Sequence, residues 1–244
     1  TYFFDALRAQ DIELAKKIAE NMPSGQERNL AINLVKVYTG DSLKIKYDFS
    51  NLTNHQRILY HLALGYQILN SDKESRLIAY QNFSEAIQIA DDINLNAGLK
   101  FALISMLDLL KKEIFLGTDK FSPYLKHYKE LSSDFTDDLI ISLYEIALKS
   151  KENDDFESVA SATKEIERFD NLFKTVSQEN PFKVEYYYRK AIQAKLQQNY
   201  KESLDYFHLA IKLMRNKEIH QELYTTSIWQ LSSVFYLLKE SDSA

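Results

Sequence analysis

The chain has 244 residues and a net charge of −5, with 30 Lys and Arg against 35 Asp and Glu, a balance that argues against gripping nucleic acid, which needs clustered basic side chains. Hydrophobic residues make up 45%, while Gly and Pro number only 5 and 3, the composition of a helical protein with enough apolar surface for a core. The absence of Cys excludes disulfides and thiolate metal sites, and no apolar run is long enough to read as a membrane span.

Residues 1–22 read as a helix end, a tight turn at Ala9, Gln10 and Asp11, and a helix through Met22 that Asp11 caps. Pro23 and Gly25 break the chain, Ser24 is expected to cap a helix reaching Tyr38, and residues 41–53 are the least regular stretch. From Asn54 the pattern is regular: a helix over 55–69, a turn at Asn70, Ser71 and Asp72, and a partner helix over 75–92. The next helix, capped by Asn94 or Asn96 and running to Phe115, is apolar almost all round (Leu99, Phe101, Ala102, Leu103, Met106, Leu107, Leu110) and should be buried on more than one side. Ser122 and Pro123 start a helix that ends near Ser132, with Pro at the favoured first position. Thr136 is expected to cap 136–150, with Asp137 and Asp138 in its first turn. Asp154 and Asp155 open a long helix over 155–178, and helices follow over 182–197, 200–215 and 218–239. No alternating strand signal occurs. Residues 1–53 thus form an irregular N-terminal helical portion, and 54–244 one continuous solenoid. The chain reads as cut at both ends, because Thr1 falls within a helix and Ala244 falls where another should begin.

One pattern recurs. Ala79, Phe83, Ala86 and Ile87 are matched 124 residues later by Ser203, Phe207, Ala210 and Ile211. A third fragment, Leu231, Ser232 and Phe235, leads towards Ala244 and sets a period near 41 residues, the mark of a helical repeat array. The pair 182–215 carries the pattern most fully: Tyr187, Ala191 and Ala194 on the first helix, then Tyr200, Ser203, Phe207, Ala210 and Ile211 on the second. This resembles a tetratricopeptide repeat (TPR) with helices longer than usual, and Lys190 stands where that family usually has Leu. The resemblance implies an all-α fold, a right-handed superhelix of five to six antiparallel helix pairs with a concave groove. It extends to the long-helix TPR regions of bacterial signalling proteins, such as Bacteroidetes-type sensor kinases and regulators.

No chemistry is legible. The five His (His55, His61, His127, His208, His220) form no metal-binding spacing, no glycine-rich phosphate loop exists, and Asp134, Asp137 and Asp138 read as helix capping. No cofactor, metal or catalytic residue is expected. In the TPR register the first helix of each pair lines the groove, which places Tyr66, Tyr188, Ile192, Lys195, Thr226, Trp229, Ser233 and Tyr236 as candidate peptide- or partner-binding residues. Trp229 and Tyr236, seven apart, share one helix face and would anchor an extended peptide or a helix; the alternative is that a neighbouring helix covers them. The expected function is a non-catalytic protein- or peptide-binding region of a bacterial signal-transduction protein, coupled to an output domain outside this segment. The alternatives are the receptor region of a peptide-pheromone transcription regulator, and a structural scaffold or assembly factor. The compartment stays open: periplasmic for a sensor region, or cytoplasmic. Uncovered end repeats would also allow self-association.

Overall fold

A computed structural model describes residues 2–41, 51–69, 73–112, 120–149, 156–214 and 221–241, and all the regular structure among them is helical. Twelve helices follow one another among the described residues, and the chain divides into two compact units, 1–133 and 134–244. Unit 1 holds α1 (Tyr2–Arg8), α2 (Ile12–Asn21), α3 (Gln26–Tyr38), α4 (Asn54–Leu69), α5 (Lys73–Asp92), α6 (Asn96–Lys112) and α7 (Phe121–Glu130). Unit 2 holds α8 (Phe135–Lys149), α9 (Phe156–Thr175), α10 (Phe182–Leu196), α11 (Tyr200–Met214) and α12 (Gln221–Ser241). Within each unit neighbouring helices pack in pairs, α4 on α5 and α10 on α11 most closely, so the fold is an all-α helical repeat.

The recurring residues are the ones the packing needs. Ala79, Phe83 and Ala86 on α5, and Ser203, Phe207 and Ala210 on α11, are all fully buried. Gly65 on α4 lies directly under the Phe83 ring; a Cβ there would come within 2.6 and 2.8 Å of Cδ1 and Cζ, and closer still to Cε1. In the second pair Ala191 takes the place of Gly65, and the Ser203 hydroxyl donates to its carbonyl oxygen at 2.8 Å, which holds α10 and α11 together. Phe207 then packs with Leu204 and Val234, so one ring seals its own pair and meets the following helix.

Four helix ends close in the same way. After α1, α3, α5 and α10 a residue in the left-handed region (Gln10, Gly40, Asn94, Gln198) lets two backbone N–H groups reach back to the last carbonyls. At Gln198, for example, its N–H bonds Lys195 O at 3.0 Å and the Asn199 N–H bonds Ala194 O at 2.9 Å. Only Gly40 is glycine, so the other three turns carry the steric cost of a Cβ at positive φ.

Unit 1 is more enclosed than a linear stack. α6 packs against α1, α4, α5 and α7, which explains why its sequence is apolar all round: Leu99, Phe101, Ala102, Leu103, Met106, Leu107 and Leu110 are all buried. Phe4 on α1 reaches the Phe101 ring at 6.2 Å.

Several caps differ from expectation. Asp11 does cap α2, accepting from Leu14 N at 3.0 Å. Ser24 does not cap α3, because Gly25 occupies the N-cap with no side-chain bond. Asp134 rather than Thr136 caps α8, accepting from Asp137 N at 3.0 Å, and the helix starts one residue earlier. Pro123 lies at the third position of α7, where its missing N–H is equally harmless. Asn94 is the left-handed residue that ends α5. The turn at 70–72, the helix end at Phe115, the opening residues Asp154 and Asp155, and Ala244 lie outside the described residues.

Two substitutions test this packing. Gly65→Ala should destabilise the protein by about 1–3 kcal/mol in denaturant unfolding, even though alanine is the better helix former, because the Phe83 ring must move. Gln198→Gly should stabilise it by about 0.5–1 kcal/mol, the relief of left-handed strain less the extra entropy of glycine; an unchanged or lowered melting temperature would contradict this account of the turn.

Candidate functional site

Aligning the helices on Gly65, Ala191 and Ser232 places the expected groove residues in register. Leu62, Tyr66 and Leu69 on α4 correspond to Tyr188, Ile192 and Lys195 on α10, and to Trp229, Ser233 and Tyr236 on α12. In unit 1 this face is filled. Leu62 is 0%, Tyr66 7% and Leu69 5% exposed. The Tyr66 ring meets Tyr38, Phe83 and Phe101 with centroids 5.0, 5.3 and 6.1 Å away. Its hydroxyl donates to Ser105 Oγ at 2.9 Å, and Ser105 donates onward to Phe101 O at 2.8 Å. Tyr66 is therefore a core residue and not part of an open groove: α3 and α6 supply rings that cover it. Burial pushes its hydroxyl well above the usual tyrosine value.

In unit 2 the corresponding face is open. Tyr188 and Ile192 are half-buried, packed on the cluster of Ala191, Leu204, Phe207 and Val234. Thr226 is half-buried as well. Trp229 is 68% and Tyr236 63% exposed, the two large side chains that stand furthest out from α12. Between them on the helix face lies Ser233, whose hydroxyl accepts from Lys195 Nζ at 3.0 Å; the same ammonium donates to Gln230 Oε1 at 2.8 Å. These two bonds tie α10 to α12 across the face. Burial lowers the basicity of Lys195.

A second exposed stripe on α12 was not read from the sequence as a surface. Ile228 and Phe235 are 41% and 50% exposed and flank exposed Ser232. By the same register this is the face that Gly65 and Ala191 turn to the second helix of their own pairs. It is thus a packing face rather than a groove face, and the Phe235 ring lies edge-on to His208 on α11, with ring centroids 6.4 Å apart. The signal was available, since Ser232 and Phe235 belong to the recurring pattern.

The described residues gather few groups fit for chemistry. No three His, Asp or Glu side chains among them come together as metal ligands. His61 is buried with Nδ1 3.0 Å from Asn82 Oδ1, and burial lowers its pKa, so it tends to stay neutral between α4 and α5. A dense polar cluster is centred on Asp170 of α9. Its carboxylate accepts from Tyr186 Oη, from Lys174 Nζ and, at 2.9 Å, from Lys190 Nζ. The Lys190 ammonium also lies 4.7 Å from the Tyr206 ring centroid and 5.5 Å from that of Tyr186. Lysine at this position is thus explained: its charge is shared between a carboxylate and two aromatic faces, tying α9, α10 and α11. Partial burial pushes the Asp170 carboxyl up, but the hydrogen bonds from Lys174, Tyr186 and Lys190 outweigh it and hold the group well below the usual carboxylate range. Burial first, and then the Asp170 charge, push the Tyr186 hydroxyl upward, the opposite of what a proton-abstracting tyrosine needs.

Because the Asp170 pKa is depressed in the folded state, its stabilisation is present above the unfolded value of about 4 and is lost as pH falls below it. Asp170→Asn should cost about 1–2 kcal/mol at pH 7 and shrink the acid-side loss of stability seen in the wild type; equal pH profiles would rule out this role.

Comparison with known proteins adds one finding. The profile of the family described as anaphase-promoting complex subunit 5 matches residues 37–113 and 147–244, more than two thirds of the chain. None of the curated proteins and none of the solved structures compared matches it. The matched segments take in α4 and α5 with Gly65 and Phe83, and α10 to α12 with the open face, and by this match the chain belongs to the anaphase-promoting complex subunit 5 family.

Proposed function

We propose that this chain is a non-catalytic protein-interaction scaffold, and that the face formed by α10 and α12 of unit 2 is its contact surface. The observation that carries the reading is the contrast between equivalent positions. Leu62, Tyr66 and Leu69 are sealed in unit 1, whereas Trp229 and Tyr236 stand exposed in unit 2. Large rings left in water at positions that elsewhere in the same chain form core are candidate anchors for a partner, as aromatic residues dominate binding hot spots. The family name refers to a subunit of a multiprotein complex, which supports assembly as the broad role. Among the readings open from the sequence, this favours the scaffold or assembly factor. A bacterial signalling region with an external output domain, or a pheromone receptor, would use the same face, but neither draws support from the family match.

A random-peptide library displayed on phage and selected against the whole chain tests the surface. Selected peptides should lose about thirtyfold in affinity against Trp229→Ala and bind normally to Leu77→Ala, an exposed apolar control on α5. Equal binding to both variants, or no selected peptide at all, would overturn the assignment.

A further inference from the structure

On the open face of unit 2, Lys195 alone is charged among Tyr188, Ile192, Lys195, Thr226, Trp229, Ser233 and Tyr236, and residues 225–238 of α12 contain no ionisable Asp, Glu, Lys, Arg or His. The other lysine of α10 that bridges to a neighbouring helix, Lys190, has a carboxylate, Asp170 at 2.9 Å. Lys195 has two neutral acceptors instead, Gln230 Oε1 at 2.8 Å and Ser233 Oγ at 3.0 Å. An ammonium has three donors, so two fix the side chain and the third is left without an acceptor among the described residues. Burial works against its charge, and no carboxylate among those residues works in the other direction.

The position of the ammonium is set by α12. Ser233, which holds it, is four residues after Trp229 and three before Tyr236, so both rings are its neighbours on the helix face. A positive charge fixed in place, partly desolvated and flanked by two exposed aromatic rings complements one negative charge set among apolar groups. The acidic balance of the chain disfavours polyanions. Building on the contact surface proposed above, we infer that α10 and α12 receive a protein segment that places one Asp or Glu carboxylate on Lys195 and an apolar side chain across Trp229 and Tyr236. The carboxylate would accept the third N–H and supply the missing counter-charge. The rings would exclude water from that bond, and a charge pair is strengthened by such exclusion.

The test uses a double-mutant cycle on the whole chain. For the tightest peptide from the random library, each Asp and Glu is replaced by Asn or Gln, and affinities for the wild type and for Lys195→Met are measured by calorimetry. One acidic position should lose about thirtyfold against the wild type, Lys195→Met should lose a similar factor, and the two losses should not multiply when combined. Circular dichroism checks that Lys195→Met is folded; if it is not, the peptide-side replacements against the wild type decide alone. Peptides that need Trp229 but carry no essential acidic residue, or losses that multiply, would overturn the carboxylate inference and leave the contact surface standing. Failure to select any peptide would overturn both.

Discussion

The contact between the two helices of a pair sets the geometry of everything else. At Gly65 the chain gives up a Cβ so that the Phe83 ring can lie against the α4 backbone. At Ala191 a methyl is kept, and the approach is held by the Ser203 hydroxyl on the carbonyl beneath it. Either solution brings two backbones close enough for a ring to bridge beyond its own pair, as Phe207 does to Val234. Close packing of this kind leaves no freedom to rotate either helix, because dispersion contacts fall away within a fraction of an ångström. Fixing the pair therefore fixes which side chains of the first helix face away from it.

Those outward positions have been used in two ways. In unit 1 they join a network of rings in which Tyr38, Tyr66, Phe83 and Phe101 meet edge-on or tilted, and the buried Tyr66 hydroxyl finds Ser105. A buried phenol without that partner would cost about 1–3 kcal/mol, so the Ser105 hydroxyl is part of what allows the face to close. In unit 2 the same register carries Lys195, Trp229 and Tyr236, none of which is buried. Polar ties add to the apolar core of this unit: Asp170 with Lys190 and Tyr186, and Lys195 with Gln230 and Ser233. Both units pack rings in their cores, as Phe173 stacks on Tyr186 in unit 2, but only unit 2 leaves large rings exposed at the positions in this register.

The sequence was most readable where local helix geometry alone decides. The spacing of Ala79, Phe83 and Ala86, and of Ser203, Phe207 and Ala210, announced which side chains are sealed, and every one of them is buried. The all-round apolar pattern of α6 likewise foretold a helix with several neighbours. Caps were less readable, because Ser24 or Gly25, and Asp134 or Thr136, are equally plausible from residue type and differ only in the backbone dihedrals that the neighbouring chain imposes. Tyr66 could not be placed from the α4 pattern, since its burial depends on rings from α3 and α6. The reason for lysine at position 190 was hidden for the same cause: its carboxylate lies 20 residues away on another helix.

The charge-free run of α12 has a further consequence. Residues 225–238 combine β-branched and aromatic side chains with no charge and no proline, the composition of segments that form stacked intermolecular strands once they are extended. Helical pairing with α10 and α11, through Leu231 and Val234, keeps the backbone of this run engaged with itself. The attachment of α12 to its neighbours therefore governs colloidal behaviour: any change that lets this helix detach and unwind would turn this run into a nucleus for aggregation.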